Sequence, residues 1–322
     1  MALSGSIDFT STRDQLIIDA FQLIGVYGIG RTVSSEDMSY ASRALNKLIK
    51  SWATHGLHLW ARAEATLIPT AHVSKYLIGN NNSTTRVGKT NDTIMTQLTA
   101  DAATSATSLT VDSTDSMTVG DFIGIVMTDN TAHWTTIATI PTSTTLTITT
   151  GLSGAASTSA MVYTYTTRLP KPLRINSVRQ VTGFDSGATS TVVETPLYQM
   201  AYTDYIEMNK TNSGTPVAFA YRPNLLDLEF HLWPRPNTEN MRICFTYERT
   251  LEDVDDIDDN FDFPSEWLEP LTWKLAVRLA PAFGKYQKLK EIDAPASAML
   301  DNLLAWDTET SSICIVPDMD RW

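Results

Sequence analysis

The chain has 322 residues, 43% of them hydrophobic, enough to bury a sizeable core in one large domain or two ordinary ones. Lys and Arg number 24 against 36 Asp and Glu, a formal net charge of -12, so the average surface repels a phosphate backbone, which argues against tight wrapping by nucleic acid. Cys244 and Cys314 are the only cysteines and neither lies in a C-x-x-C pair, while MALSGSIDFTSTRDQ lacks the basic and apolar regions of a secretion signal. With no run approaching a membrane span, synthesis in the cytosol is expected.

The first third reads as helix. In TSTRDQLIIDAFQLIGVYGIG, Ile17, Ala20, Phe21 and Ile24 recur at helical spacing before Gly25, Gly28 and Gly30 interrupt. In SSEDMSYASRALNKLIKSWATHG, Ser34 precedes Asp37 by three residues. Met38, Ala41, Leu45, Leu48 and Trp52 then share a stripe that Gly56 ends. LHLWARAEATLIP leans toward strand.

Composition changes near Gly79. From Thr90 to Thr167 there is no Lys, Arg or Glu, and short alternating runs such as DFIGIVM, HWTTIATI and TLTITT recur between turns. A disordered linker would share the Thr and Ser content, but Phe122, Ile123, Ile125, Trp134 and Ile137 argue for a folded β domain. Beyond Pro170, LRINSVRQV reads as strand, and the stretch from GTPVAFAYRP through LEFHLWPRP to RICFTYER reads as a meander broken at WPRP and NTEN. Two helices follow: SEWLEPLTWKLAVRLAPAFG, with Leu268, Leu271, Leu275 and Leu279 on one side and Pro281 near its end, and APASAMLDNLLAWDTET.

The acidic stretch EDVDDIDDNFDFPSEW is the most conspicuous polar feature. An EF-hand loop beginning at Asp256 would place Asp258 and Asn260 in register, but Phe261 stands where glycine is required and Trp267 where glutamate is required. A looser divalent site from Asp255, Asp256, Asp258 and Asp259 stays open, beside the commoner reading of a solvated acidic loop. Asp262 and Glu266 suit a helix N-terminus near Ser265. The remaining acids repel one another unless they meet a basic partner or form a repellent wall.

Other motifs are weaker. STTRVGKT ends like a P-loop at Gly88, Lys89 and Thr90, but Ser83 replaces the first glycine and neither flank fits. His55, His58, His72, His133 and His231 form no H-E-x-x-H, and no G-x-S-x-G elbow occurs. Trp267, Trp273 and Trp306 lie on helical stripes and are expected to be buried, whereas Trp322, at the end of the chain, suits a partner's pocket.

The order of DQLIIDAFQLIGV, ALNKLIKSWATHGLHLW, GTPVAFAYRP, LEFHLWPRP and DFPSEWLEPLTWKLAVRLAPAFG resembles the head-to-tail adaptor (connector) family of short-tailed bacteriophages, the proteins similar to the P22 tail accessory or packaged-DNA stabilisation factor. The resemblance leaves out roughly Gly79 to Thr167.

It implies a structural virion protein of the head-tail interface, with no enzymatic activity and no cofactor. Its copies would form a homo-oligomeric ring, a dodecamer, under the portal protein. That ring would seal packaged DNA, join the portal to the tail nozzle or hub protein, and let genomic DNA pass without specific binding. The β insert would offer a platform for a tailspike or fibre, or face the nozzle.

The expected fold is α+β: a helical-bundle core with a β meander over residues 1–78 and 168–310, an inserted small all-β domain, barrel or sandwich-like, over 79–167, and an extended tail over 311–322. The tail would dock into the portal through Ile313, Ile315, Val316, Met319, Arg321 and Trp322. Glu252, Asp253, Asp255, Asp256, Asp258 and Asp259 would face the channel or a neighbouring ring. The competing class is a virion-associated cell-wall hydrolase or a fibre- or glycan-binding module.

Overall fold

The computed structural model describes residues 9–52, 59–79, 85–184, 191–256 and 259–307. Chain order is α1 (Arg13–Leu23), α2 (Ser35–Trp52), a 3-10 turn (Leu59–Ala61), β1 (Arg62–Leu67), β2 (Lys75–Ile78), β3 (Val87–Lys89), β4 (Thr93–Gln97), β5 (Ser108–Thr110), β6 (Phe122–Val126), β7 (Ala132–Thr142), β8 (Thr145–Ile148), β9 (Met161–Tyr165), β10 (Arg174–Thr182), β11 (Val193–Pro196), β12 (Tyr198–Gln199), α3 (Tyr202–Glu207), β13 (Ser213–Gly214), β14 (Ala218–Pro223), β15 (Leu228–Trp233), β16 (Arg235–Pro236), β17 (Arg242–Glu248), α4 (Leu268–Leu279) and α5 (Tyr286–Trp306). The fold is a mixture of helices and sheets, α+β in class, and divides into two units, Met1–Ala61 with Thr250–Trp322, and Arg62–Arg249.

The first unit is helical. A capping box starts α1: Gln15 N–H donates to Thr12 Oγ1, and the Thr12 N–H donates back to Gln15 Oε1 at 3.1 Å. The α1 stripe of Leu16, Ile17, Ala20 and Phe21 is buried, and Gly25 follows with φ +69°, where a side chain would be strained. Asp37 N–H donates to Ser34 Oγ at the start of α2. Ala41, Leu45, Leu48, Ile49 and Trp52 then meet Leu271, Leu275 and Leu279 of α4 in one core. Each buried aliphatic or aromatic side chain there contributes roughly 1.5–3 kcal/mol.

Two expectations for this unit are corrected. The last helix begins at Tyr286, before the APAS stretch, and runs straight through Pro295. Proline removes one N–H to the preceding turn, but Ile292 and Ala296 on either side of it are buried, and their packing holds the helix through the gap. Trp306 is 74% exposed rather than buried, because it lies in the last turn of α5, whose buried residues Ile292 and Ala296 are farther back.

In the second unit a five-stranded sheet, β11-β10-β17-β1-β3, faces a four-stranded sheet, β12-β14-β15-β2. They share one core, in which Phe219, Phe230, Phe245 and Tyr247 form a ladder with ring centroids 5.9 to 6.0 Å apart. The meander is corrected here. β14 and β15 form a hairpin, but the chain then changes sheets through the cis Trp233–Pro234 peptide and β16, and β17 lies between β10 and β1. Alternation reports which face is buried and not which strand is the neighbour.

The Thr-rich stretch forms a six-stranded sheet, β4-β9-β6-β7-β8-β5. Its two edges curl toward each other, with Thr99 N–H donating to Thr110 O at 3.0 Å and Asp112 N–H to Gln97 O at 2.9 Å. Ile123, Ile125, Ile137, Leu146, Ile148 and Val162 fill the interior. Threonine hydroxyls pair across β7 and β8 on the outside, as in Thr139–Thr147 and Thr142–Thr145 at 2.6 Å, which gives this composition a structural use.

Gly88 of the P-loop-like stretch has a packing role: a Cβ there would come 2.7 Å from Tyr165 Cβ and 2.9 Å from Thr93 Oγ1. A three-residue 3-10 turn, Thr90–Asp92, follows it rather than a phosphate-binding helix.

Candidate functional site

The acidic stretch lies on the helical unit, and two apolar residues within it fasten it there. Leu251 and Val254 are buried in the helical core, so the neighbouring acids turn outward. Asn46 of α2 clasps Val254 at both ends, donating to its carbonyl at 3.2 Å and accepting from its N–H at 3.1 Å. Lys50, one turn later, donates to the Leu251 carbonyl at 2.7 Å and pairs with Asp253 at 2.8 Å. Arg13 of α1 donates to the Asp255 carbonyl at 2.6 Å.

The six expected acids therefore differ in what they do. Asp253 is neutralised within the chain. Asp259 folds back, and its Oδ2 accepts from the N–H groups of Asp255 at 2.9 Å and Asp256 at 2.7 Å. Glu252, Asp255 and Asp256 are exposed, and among the described residues no cation pairs with them. Asp258 lies outside the described residues, as do Ile313, Ile315, Val316, Met319, Arg321 and Trp322 of the expected portal-docking tail and the histidines His55 and His58. Among the described residues no three His, Cys, Asp or Glu side chains converge as metal ligands would.

Below this ledge the aromatic residues of FDFPSEW enter the core. Trp267 is 1% exposed and meets Trp52 and Trp60 with ring centroids 5.8 Å from each, and Phe263 packs at 5.4 Å from Trp60. Phe261, which occupies the glycine place of the calcium pattern, packs against the same core.

On the next face of α2, Arg43 and Lys47 converge with Tyr40 and with Arg278 of α4 on a cleft of about 230 Å³. None of these three cations makes an ion pair among the described residues. Sequence reading missed this patch. Arg43 and Lys47 lie one turn apart on the polar face of α2, a visible signal, but only the fold brings Arg278 to them.

Buried charges in the sheet unit are structural. Glu229 takes Lys75 on Oε1 at 2.8 Å and Arg222 on Oε2 at 3.0 Å. The hydrogen bond from Lys75, helped by Asn224 and Arg222 against the cost of burial, holds its carboxyl down at about 2. Beside it His231, its ring tilted against that of Tyr205 with centroids 4.5 Å apart, is pushed below its ordinary value by burial, an effect the nearby Glu229 opposes. A carboxylate held ionised near neutral pH, with both oxygens on cations, is poorly suited to proton transfer. Glu239 is likewise occupied, accepting from the N–H groups of Ala71 and Ala132 and from Arg86.

A family model described as SU10 adaptor protein matches residues 92–312, more than half of the chain. No curated protein matches it. The matched span takes in the Thr-rich six-stranded sheet, which the resemblance read from motifs had left out, and begins after α1 and α2, on which that resemblance leaned. Among the described residues no helix is long and apolar enough to cross a membrane. With the acidic ledge, the α4 stripe and the whole six-stranded sheet inside the matched span, the chain belongs to the SU10 adaptor protein family, a family of phage head-to-tail adaptors.

Proposed function

We propose that the protein is the structural connector of a phage neck, without enzymatic activity, forming a ring of twelve copies between the portal protein and the tail nozzle and sealing packaged DNA. The observation that carries this reading is the family match over residues 92–312. In this reading residues 1–78 and 168–310 form the adaptor core, a helical bundle with its sheets. Residues 79–167 are an inserted β domain that offers a platform to a tailspike or fibre, and residues 311–322 dock into the portal.

The exposed carboxylates of Glu252, Asp255 and Asp256 support a surface facing DNA or a neighbouring ring. Fixed acids on a channel wall disfavour the phosphate contacts that would hold DNA back during ejection. The cations Arg43, Lys47 and Arg278, which make no ion pair among the described residues, supply a complementary patch for an acidic partner surface.

Size-exclusion chromatography with light scattering, on the chain alone and mixed with its cognate portal ring, tests the reading. A stoichiometric complex that is lost when residues 311–322 are deleted is expected. A chain that ignores the portal would overturn it. A muralytic assay on purified protein separates the connector from a cell-wall hydrolase, since a connector leaves peptidoglycan intact.

A further inference from the structure

We propose that the six-stranded sheet carries a binding site for a carboxylate-bearing saccharide, such as a uronic acid unit, in the cleft between Arg86, Arg168 and the threonines at the β7–β8 edge. The cleft measures about 460 Å³, within the range of small-molecule sites. It is lined by residues of the sheet unit alone, and the proposal does not depend on ring formation.

Charge placement is the first argument. From Thr90 to Thr167 the chain has no Lys or Arg, yet the residues flanking that stretch place a guanidinium from each side at this one cleft. Arg86 is partly neutralised by Glu239 at 3.3 Å, and burial lowers its pKa. Arg168 meets no carboxylate among the described residues; its partners are the Tyr165 hydroxyl and the Phe122 ring. Among the described residues no acidic side chain lines the cleft. An anion with planar, paired oxygens is the natural complement of such a guanidinium.

The arginines are held in advance. Arg86 lies 4.8 Å over Trp134 and Arg168 lies 4.7 Å over Phe122. The rings are fixed in turn: Phe122 stacks on Tyr165 at 5.0 Å, and Trp134 lies so close across Gly124 that a Cβ there would come within 2.5 Å of the indole. These contacts cover the ring faces on which a nucleobase would stack, which disfavours a nucleotide. They also leave little side-chain freedom to lose when a ligand binds.

The opposite wall is made of hydroxyls. Thr135 and Thr150 pair at 2.8 Å, and Thr136 and Thr149 pair at the same distance. A hydroxyl has one proton and two lone pairs, so each pair keeps acceptor capacity for the donor hydroxyls of a sugar. The main chain offers a peptide little. β7 is paired with β6 and β8, and β9 with β4 and β6, so no open strand edge lines the cleft for an added strand. Cation, fixed aromatic ring edges and a hydroxyl row together match a carboxylated pyranose better than an acidic peptide.

The test is saturation-transfer NMR and calorimetry on the full chain, with trigalacturonate as probe and the neutral galactose trisaccharide and a Glu/Asp peptide as comparators. Binding of trigalacturonate, weakened about tenfold or more by Arg168→Gln, is expected, with little binding of the neutral sugar. Thr150→Val, which removes a hydroxyl and keeps the charge, gives a second reading should Arg168→Gln fold poorly, and is expected to weaken binding severalfold. No binding at millimolar trigalacturonate, equal binding of the neutral sugar, or binding indifferent to both variants would each overturn the proposal. Tighter binding of the acidic peptide would replace the saccharide with a protein partner.

Discussion

Lys50 Nζ lies 2.8 Å from the Asp253 carboxylate and 2.7 Å from the Leu251 carbonyl, so one residue of α2 both neutralises and anchors the acidic segment. The ion pair is about half exposed and its Coulomb contribution is small, whereas the carbonyl bond fixes the backbone path. Lys50→Met, which keeps the apolar stem, is expected to lower stability by about 1–3 kcal/mol, and Asp253→Asn by less than about 1 kcal/mol. Urea unfolding of the two variants checks the order; equal losses would mean that the ion pair dominates.

The aromatic cluster below the ledge should be far more sensitive. Trp267 is 1% exposed between Trp52 and Trp60, and Trp267→Ala is expected to cost about 3–5 kcal/mol. Differential scanning calorimetry would show this as a lowered midpoint; a change near zero would refute the packing described here.

Acid should weaken the sheet unit in two stages. His231 stays neutral below its ordinary 6.5 because burial lowers its pKa, so as pH falls through 6.5 the unfolded chain takes up a proton that the folded one refuses, and stability drops. Glu229 is held at about 2 against an ordinary 4.5, so its contribution is complete above 4.5 and is lost as pH falls from there toward 2. Urea midpoints of wild type and His231→Gln across pH 4 to 8 test the first stage: the variant is expected to lose the slope below about 6.5.

Among the described residues no cation pairs with the carboxylates of Asp255 and Asp256, so their role is expected to be external. Replacing Asp255, Asp256, Asp258 and Asp259 by Asn should impair ring docking or DNA release, with a stability cost of about 1 kcal/mol from Asp259, whose carboxylate caps the turn. Portal co-sedimentation and plaque counts read the two effects. Unchanged assembly and infectivity would remove the acidic ledge from the mechanism.

Gly124 faces Trp134 in the β6–β7 register. Gly124→Ala must push the indole aside, with an expected cost of about 1–3 kcal/mol. Because Trp134 supports Arg86, the same variant should shift tryptophan fluorescence and loosen the cleft; an unchanged spectrum would contradict the contact.

Read by itself, the sequence determined the helical stripes of α1, α2 and α4, the capping signal at Ser34, and the change of character in the Thr-rich stretch. Each is a local pattern, set by 3.6-residue or two-residue periodicity and by short-range hydrogen bonding. It also marked the acids as a feature and matched their chain to a phage adaptor family. Only the tertiary structure decided that β17 leaves the hairpin for another sheet, that Lys50 and Asn46 hold a segment two hundred residues away, and that Arg86 and Arg168 meet at one cleft. Strand partners and convergent side chains depend on contacts between distant residues, and periodicity records which face is buried without recording against what.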